Sequence, residues 1–249
     1  MNTMIETILN HRSIRKYEDR PLTKEQIEVI VKSAQAAATS SYVQAYTIIG
    51  ITDQEKKKQL AHLVGNQPYV EKNGHLLVFC ADLYRHQVVA EMENVDITDS
   101  LERTENFMIA VIDAALAAQN AALAAESMGL GICYIGGLRN QLVEVSKLLN
   151  IPKHVIPLFA MTIGYPLHES SKKPRLPFAH VYHENGYQTN KELLKEQLHD
   201  YNQTIQQYYK ERTNNERQDT WTSQMAVKFT TPTRLYMKEY VQKQGFDKK

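Results

Sequence analysis

Apolar residues cluster in four short runs along this chain, and between those runs they recur mostly every three or four positions. Residues Tyr46–Ile51, 76–81, 132–135 and 158–164 are the runs, and each is bounded by turn-forming residues, so each predicts a strand. The run at 76–81 is apolar without interruption, which predicts a central strand. The stretches between them predict helices. Leu22-Thr23-Lys24-Glu25-Gln26-Ile27 opens one that continues to about residue 37: Thr23 caps it, Gln26 completes a capping box, and Leu22 is placed to staple onto Ile27. Shorter helices are expected at 4–10, from Asp53 to near Gly65, and at 140–149, where Pro152 stops the last of them. Residues 82–99 read as polar and irregular.

The longest ordered stretch is Thr104–Ser127. From Phe107 to Ala125 its only charged residue is Asp113, and alanine and leucine dominate. That composition favours helix because alanine loses no side-chain entropy, and at 1.5 Å per residue the helix would run about 35 Å, enough to cross a domain. Its apolar residues point all round, which predicts burial on every side. It is nearly long enough for a bilayer, but Asp113, Gln119 and Asn120 interrupt it and argue against a membrane span. Gly129 ends it, and the strand at 132–135 breaks at once on Gly136-Gly137, where a flat ligand can approach backbone. Four strands among more numerous helices, with no way to order the sheet from sequence, indicate an α+β or α/β chain.

Composition changes this picture mainly at the end. From Tyr187 onward aliphatic residues thin and lysine, glutamine, glutamate and tyrosine rise, so residues 1–186 are expected to form the core and 187–249 a helical extension wrapping the core or a partner subunit. Within it, Lys191–Arg212 predicts a polar amphipathic helix, and two shorter helices follow at 221–229 and 234–244. A net charge of +1 gives no global field for nucleic acid or membrane. The N-terminus has no basic segment followed by an apolar one, so no secretory signal and a cytoplasmic location are expected. Cys80 and Cys133 lie in strand-like runs and read as buried thiols.

Gly129-Leu130-Gly131 begins like a dinucleotide fingerprint, but its third glycine would fall on Tyr134. No P-loop, H-E-x-x-H, C-x-x-C or G-x-S-x-G is present, and the nine histidines lack metal-ligand spacing. Two basic clusters remain. One is His11, Arg12, Ser13 and Arg15 after the first helix, and the other is Lys173 and Arg175 between prolines. Either can be ordinary surface charge, the first complementing a helix C-terminus. Together, a guanidinium fork, a lysine point charge and a serine donor suit a phosphate.

His-Arg-Ser-Ile-Arg at 11–15, Thr-Ser-Ser-Tyr-Val-Gln at 39–44 and Gly-Asn-Gln-Pro at 65–68 form an ordered series. It continues with Ala-Ala-Glu-Ser-Met-Gly-Leu-Gly and Tyr-Ile-Gly-Gly-Leu-Arg-Asn within 124–140, Lys-Pro-Arg-Leu-Pro at 173–177 and Arg-Gln-Asp-Thr-Trp at 217–221. The series resembles the nitroreductase superfamily, in particular its NADPH-linked FMN oxidoreductases, which include flavin reductase P and the major oxygen-insensitive nitroreductases. The resemblance implies an α+β nitroreductase-like fold: a central mixed or antiparallel sheet surrounded by helices, with the long helix at the interface of a homodimer that binds FMN at composite sites. It implies that His11, Ser13, Lys173 and Arg175 hold the FMN phosphate with Arg12 beside it, and that Arg15 faces N1 and the C2 carbonyl. Thr39, Ser40 and Ser41 would come from the other subunit, Gln67 would bond the ring edge, and Tyr134, Ile135, Gly136 and Gly137 would lie along the ring near N5. Arg212 and Arg217 match positions associated with NADPH. Gln218 stands where some relatives have a second arginine. The implied activity is ping-pong transfer from NADPH through FMN to free flavin, nitroaromatics, quinones or azo compounds, with no catalytic side chain and no metal. A flavin-binding protein without turnover is the alternative.

Overall fold

The computed structural model describes residues 2–168 and 170–249. Its elements in chain order are helices α1 (Thr3–Leu9) and α2 (Lys24–Gln35), strand β1 (Tyr46–Ile51), helices α3 (Gln54–Leu63) and α4 (Pro68–Glu71), and strand β2 (His75–Asp82). Helices α5 (Tyr84–Glu93), α6 (Thr98–Leu101) and α7 (Thr104–Ser127) follow, then β3 (Gly131–Ile135), α8 (Leu142–Leu148) and β4 (Val155–Gly164). The chain ends with α9 (Phe178–Val181), α10 (Lys191–Arg212), α11 (Trp221–Thr230) and α12 (Met237–Lys243). The strands form one sheet in the order β1-β2-β4-β3, antiparallel throughout. β2 is interior and buried along its whole length, as its unbroken apolar run predicts. Chain contacts divide the molecule into two compact units, residues 1–170 with 234–249, and residues 171–233. This division differs from the compositional shift at 186/187.

In the first unit the sheet carries apolar side chains on both faces. On one, Leu77, Phe79, Ile132, Met161 and Ile163 meet α2 and the alanines of α7; on the other, Leu76, Val78, Cys133 and Ile135 meet α3 and α8. Thr23 caps α2 in a complete capping box with Gln26. Asp53 caps α3 by accepting from Lys56 N. α7 has the predicted bounds, but within one chain its burial is one-sided. Seven alanines and Asp113 are buried, whereas Met108, Ile112 and Leu116, spaced four apart, are about half exposed. Alanine lets α2 and the sheet approach closely on one side, and the larger side chains are left on the other. Asp113, Gln119 and Asn120 all find partners inside the chain: Asp113 on the loop before β1, Gln119 on Tyr134 and Asn120 on the Ser33 carbonyl.

Two local expectations are corrected. Residues 82–99 are not irregular, because α5 and α6 lie there; the Asp82 carboxylate accepts from Tyr84 N and Arg85 N, and Asn94 in the left-handed region ends α5. A cap from the preceding strand starts this helix, which buries only Ala90 and so has no apolar stripe to betray it. β4 begins at Val155 rather than 158, because Pro157 sits opposite Cys80, where the β2–β4 register shifts and a missing N–H is tolerated. Residues 234–249 belong with the core. Tyr240, Val241 and Phe246 are buried against Ala81, Ala110 and Ile156, the phenols of Tyr236 and Tyr240 bond Leu142 N and Ser146, and Lys248 N donates to the Glu102 carbonyl.

In the second unit α10 packs on α11. Tyr201, Ile205 and Tyr209 of α10 form a small core with Leu176, Tyr208 and Trp221.

Candidate functional site

Residues 11–15 are held as a strap along the open edge of β3. Ser13 bridges Ile132 in parallel, and Ile14 N donates to the Ile132 carbonyl at 2.8 Å. Ile14 is buried, and a Cβ on Gly131 would stand 2.5 Å from its side chain, so glycine in the strand is what lets the strap lie flat. The strap is closed behind by Tyr17, whose hydroxyl donates to the Ile14 carbonyl at 2.7 Å and meets Thr162 Oγ1 at 2.8 Å. Alternation along the strap then turns Ile14 inward and exposes Arg15. His11 Nδ1 lies 2.7 Å from Glu126 Oε1 at the end of α7, while the other oxygen of Glu126 is buried without a partner.

From Arg15 a run of polar contacts leads to the glycine pair. Arg15 lies near enough to the Tyr69 phenol to oppose the effect of burial on it, the Tyr69 hydroxyl donates to Gln67 Oε1 at 2.6 Å, and Gln67 Nε2 donates to the Val64 carbonyl at 3.1 Å. Burial raises the pKa of the Tyr69 phenol, so it remains a donor. The Val64 carbonyl also accepts from Asn140 Nδ2 at 3.4 Å. Gly137 packs on this same carbonyl: a Cβ there would stand 2.6 Å from Val64 O and 3.1 Å from Gln67 Nε2. Only glycine fits, and it leaves a flat backbone surface at the end of β3. Tyr134 holds the preceding position in place through an edge contact with Phe159, centroids 5.6 Å apart. Thus His11, Ser13 and Arg15 follow the edge of β3 from its start, and Gln67 with the segment Tyr134, Ile135, Gly136 and Gly137 lies toward its far end, with Arg12 in the strap.

Thr39, Ser40 and Ser41 lie elsewhere. Their loop is a 3₁₀ turn with Ser41, Tyr42 and Gln44 at positive φ, fixed by the fully buried Asp113, which accepts from Ser40 N and Ala45 N at 3.0 Å each. Asp113 and Glu126 are thirteen residues apart on one helix, so the hydroxyl loop and His11 attach to α7 about 20 Å apart.

In the second unit Tyr209 gathers the predicted cations. Lys173 Nζ donates to its hydroxyl at 3.1 Å, and the Arg217 guanidinium lies 4.3 Å over its ring. Arg217 also pairs with Asp219 at 2.8 Å. Arg212 turns to Tyr208 instead, bonding its hydroxyl at 2.8 Å. Arg175 donates to the Lys173 carbonyl at 2.7 Å, which turns its own loop back on itself.

A cavity of about 870 Å³ beside Gln67 and Pro68 is walled by Glu55, Lys58, Glu71, Glu144 and Lys147. Its charges are of both signs and none of residues 11–15 lines it, so it offers no anion clamp. No group of three metal-ligating side chains occurs among the described residues. Tyr69, Glu126 and Tyr209 were not legible in the sequence. Each acts by holding a predicted residue from a distant part of the chain, and nothing local marks it.

Comparison with known proteins identifies the family. Residues 8–165 match the model described as Nitroreductase family, and residues 173–249 match Nitroreductase family, C-terminal domain. A Bacillus subtilis protein named FMN reductase (NADPH) is 57% identical over 248 residues, covering 100% of both chains. Among solved structures, B. megaterium NfrA1 superposes with a TM-score of 0.98 at 66% identity, covering 99% of this chain and 100% of that one. The Vibrio harveyi NADPH:FMN oxidoreductase, solved in complex with NAD+, gives 0.90 at 40% identity with full coverage of both. With the antiparallel sheet, the strap on β3 and matches spanning nearly its whole length, the chain belongs to the nitroreductase family.

Proposed function

We propose that this protein is an NADPH-dependent FMN oxidoreductase working as a homodimer, with free flavin, nitroaromatics, quinones or azo compounds as acceptors. The observation that carries the reading is the run Arg15–Tyr69–Gln67–Val64 set against Gly137. It provides a guanidinium, a carboxamide N–H and a flat backbone surface in one place, as the edge and face of an isoalloxazine require. A protein that merely stored flavin would need none of them aimed at the ring. FMN, when bound, would supply the hydride and electron transfer between NADPH and a second substrate.

The side chains bind and orient. His11, Arg12 and Ser13 are donors for the FMN phosphate, and Glu126 on His11 Nδ1 leaves Nε2 for that anion. Arg15 stabilises negative charge at the pyrimidine edge of the reduced ring. Gln67, its carbonyl and one amide hydrogen already engaged, keeps the other hydrogen for the ring edge. Gly136 and Gly137, following Tyr134 and Ile135, would offer a backbone N–H to the ring near N5. Thr39, Ser40 and Ser41 reach the flavin of the other subunit, a role supported by their separation from His11 along α7. In the second unit Lys173 and Arg175 are phosphate-binding cations, and Arg212 and Arg217 bind NADPH. The exposed stripe Met108, Ile112 and Leu116 supports α7 as the subunit interface. The cytoplasm, with its NADPH supply, is the proposed location.

The test is the visible spectrum of the purified protein with FMN, followed anaerobically by NADPH and then, on a fresh sample, NADH. Prompt bleaching by NADPH and slower bleaching by NADH is expected. A stable yellow protein that neither nucleotide bleaches would establish the non-catalytic flavin binder, and failure to take up FMN would remove the flavin assignment.

A further inference from the structure

Tyr209 is buried, yet it has two cations on it. Lys173 Nζ donates to its hydroxyl at 3.1 Å and lies 5.4 Å from the ring centroid, while the Arg217 guanidinium sits 4.3 Å above the same ring. The hydroxyl in turn donates to Gln224 Oε1 at 3.2 Å, which fixes its hydrogen away from Lys173 and leaves a lone pair for the ammonium. Thr213, four residues on, donates to the Tyr209 carbonyl and receives Arg217 N on its own hydroxyl oxygen, so the backbone carrying Arg217 is also tied to this residue. Both cations are thus referenced to one side chain rather than to separate surface positions. Among the described ion pairs, Asp219 on Arg217 is the acidic group here, and none is found on Lys173. Burial alone would raise the phenol's pKa, but Lys173 and Arg217 hold it below the ordinary tyrosine value, as expected of a ring in a net positive field.

We infer that Tyr209 is a positioning residue that holds Lys173 and Arg217 as two coupled anion-binding groups, Lys173 through its hydroxyl and Arg217 through its ring face. The inference rests on the proposed function, in which Lys173 is a phosphate-binding cation and Arg217 binds NADPH. Long basic side chains lose much rotamer freedom when they bind an anion, and holding them beforehand lowers that cost. The ring and the hydroxyl are separable, because phenylalanine keeps the first and removes the second. The geometry also assigns different weights to the two candidate NADPH arginines: Arg217 is held on Tyr209, whereas Arg212 is held on Tyr208 in the neighbouring position.

The test uses the full-length holoenzyme and compares Tyr209→Phe, Tyr209→Leu and Lys173→Ala, with FMN dissociation and the KM values for NADPH and NADH as readouts. Tyr209→Phe is expected to weaken FMN binding about five-fold, the net effect of one typical hydrogen bond, with KM for NADPH unchanged. Its effect should vanish in the Lys173→Ala background, the signature of coupling. Tyr209→Leu, which removes the hydroxyl too, is expected to weaken FMN binding as Tyr209→Phe does and, with FMN saturating, to raise KM for NADPH about three- to five-fold relative to KM for NADH on loss of the cation–π contact. A merely structural role predicts a lowered melting temperature with no split between the nucleotides, and that result would overturn the inference. If Lys173→Ala weakens FMN binding but Tyr209→Phe does not, the inference fails and the phosphate role of Lys173 stands. If Lys173→Ala itself binds FMN normally, both fail.

Discussion

Single side chains in this protein do most of their work through a second side chain. His75 is a case outside the site. It opens β2 with 5% of its surface exposed, Nε2 has no partner, and Lys57 is nearby. Burial first and Lys57 second push its pKa down to about 4, so it is neutral in the folded protein across the physiological range. The unfolded chain, with histidine near about 6.5, binds the proton more readily between those values. Stability from this group is therefore complete above pH 6.5 or so and drains away as pH falls toward about 4, by up to ~3 kcal/mol at 1.36 kcal/mol per unit. Guanidinium unfolding midpoints at pH 7 and pH 4.5 should differ by less in His75→Gln than in the parent protein. An equal acid sensitivity in both would show that other groups carry it.

Among the elements, α7 and the loop before β1 depend on each other through Asp113. Its two oxygens accept two backbone N–H groups of a loop that has three consecutive or near-consecutive residues at positive φ. Those conformations persist only if something outside the loop imposes them. Asparagine at 113 would keep one acceptor and turn an amide hydrogen toward the other N–H, which costs ~2–4 kcal/mol for a buried group and lowers the melting temperature by roughly 5–15 °C in a chain of this size. Because the loop carries Thr39, Ser40 and Ser41, Asp113→Asn should also weaken FMN binding more than its loss of stability explains at 20 °C. Unaltered FMN affinity in a folded Asp113→Asn protein would mean that these hydroxyls do not meet the flavin.

For the whole molecule, the open question is how two sets of proposed flavin ligands about 20 Å apart along one helix serve a single cofactor. The proposed pairing of two copies across the Met108, Ile112 and Leu116 stripe would answer it, each copy supplying one set to each site. Ile112→Glu puts a charge in the middle of that stripe. Light scattering should find a monomer, and FMN affinity should fall by roughly 100-fold as two or more hydrogen bonds are lost. A monomer that keeps its FMN would sink the composite site, and an undisturbed dimer would place the interface elsewhere.

Much of this could be read before any coordinates were known. α7, α10 and β1 have their predicted bounds, Thr23 and Asp53 are the caps their side chains predict, and β2 is the interior strand its apolar run implies. These features depend on neighbours within a turn or a strand, so local propensity and periodicity carry them. The motif order was likewise enough to identify the family. The order of the sheet, the helix at Tyr84–Glu93, the return of residues 234–249 to the core and the one-sided burial of α7 were not legible. Each depends on a partner far away in sequence: the Asp82 carboxylate for α5, Ala81 and Ile156 for Phe246, and α2 for the alanines of α7. The same holds at the site. His11, Arg15 and Gln67 are visible as residue types suited to an anion and a ring edge, but Glu126, Tyr69 and Tyr209 are ordinary helix or loop residues until folding brings them within hydrogen-bond reach. Residue chemistry resides in the sequence; the distance and direction in which it acts are set by packing, because contacts of 3 Å form only between surfaces the whole fold has brought together.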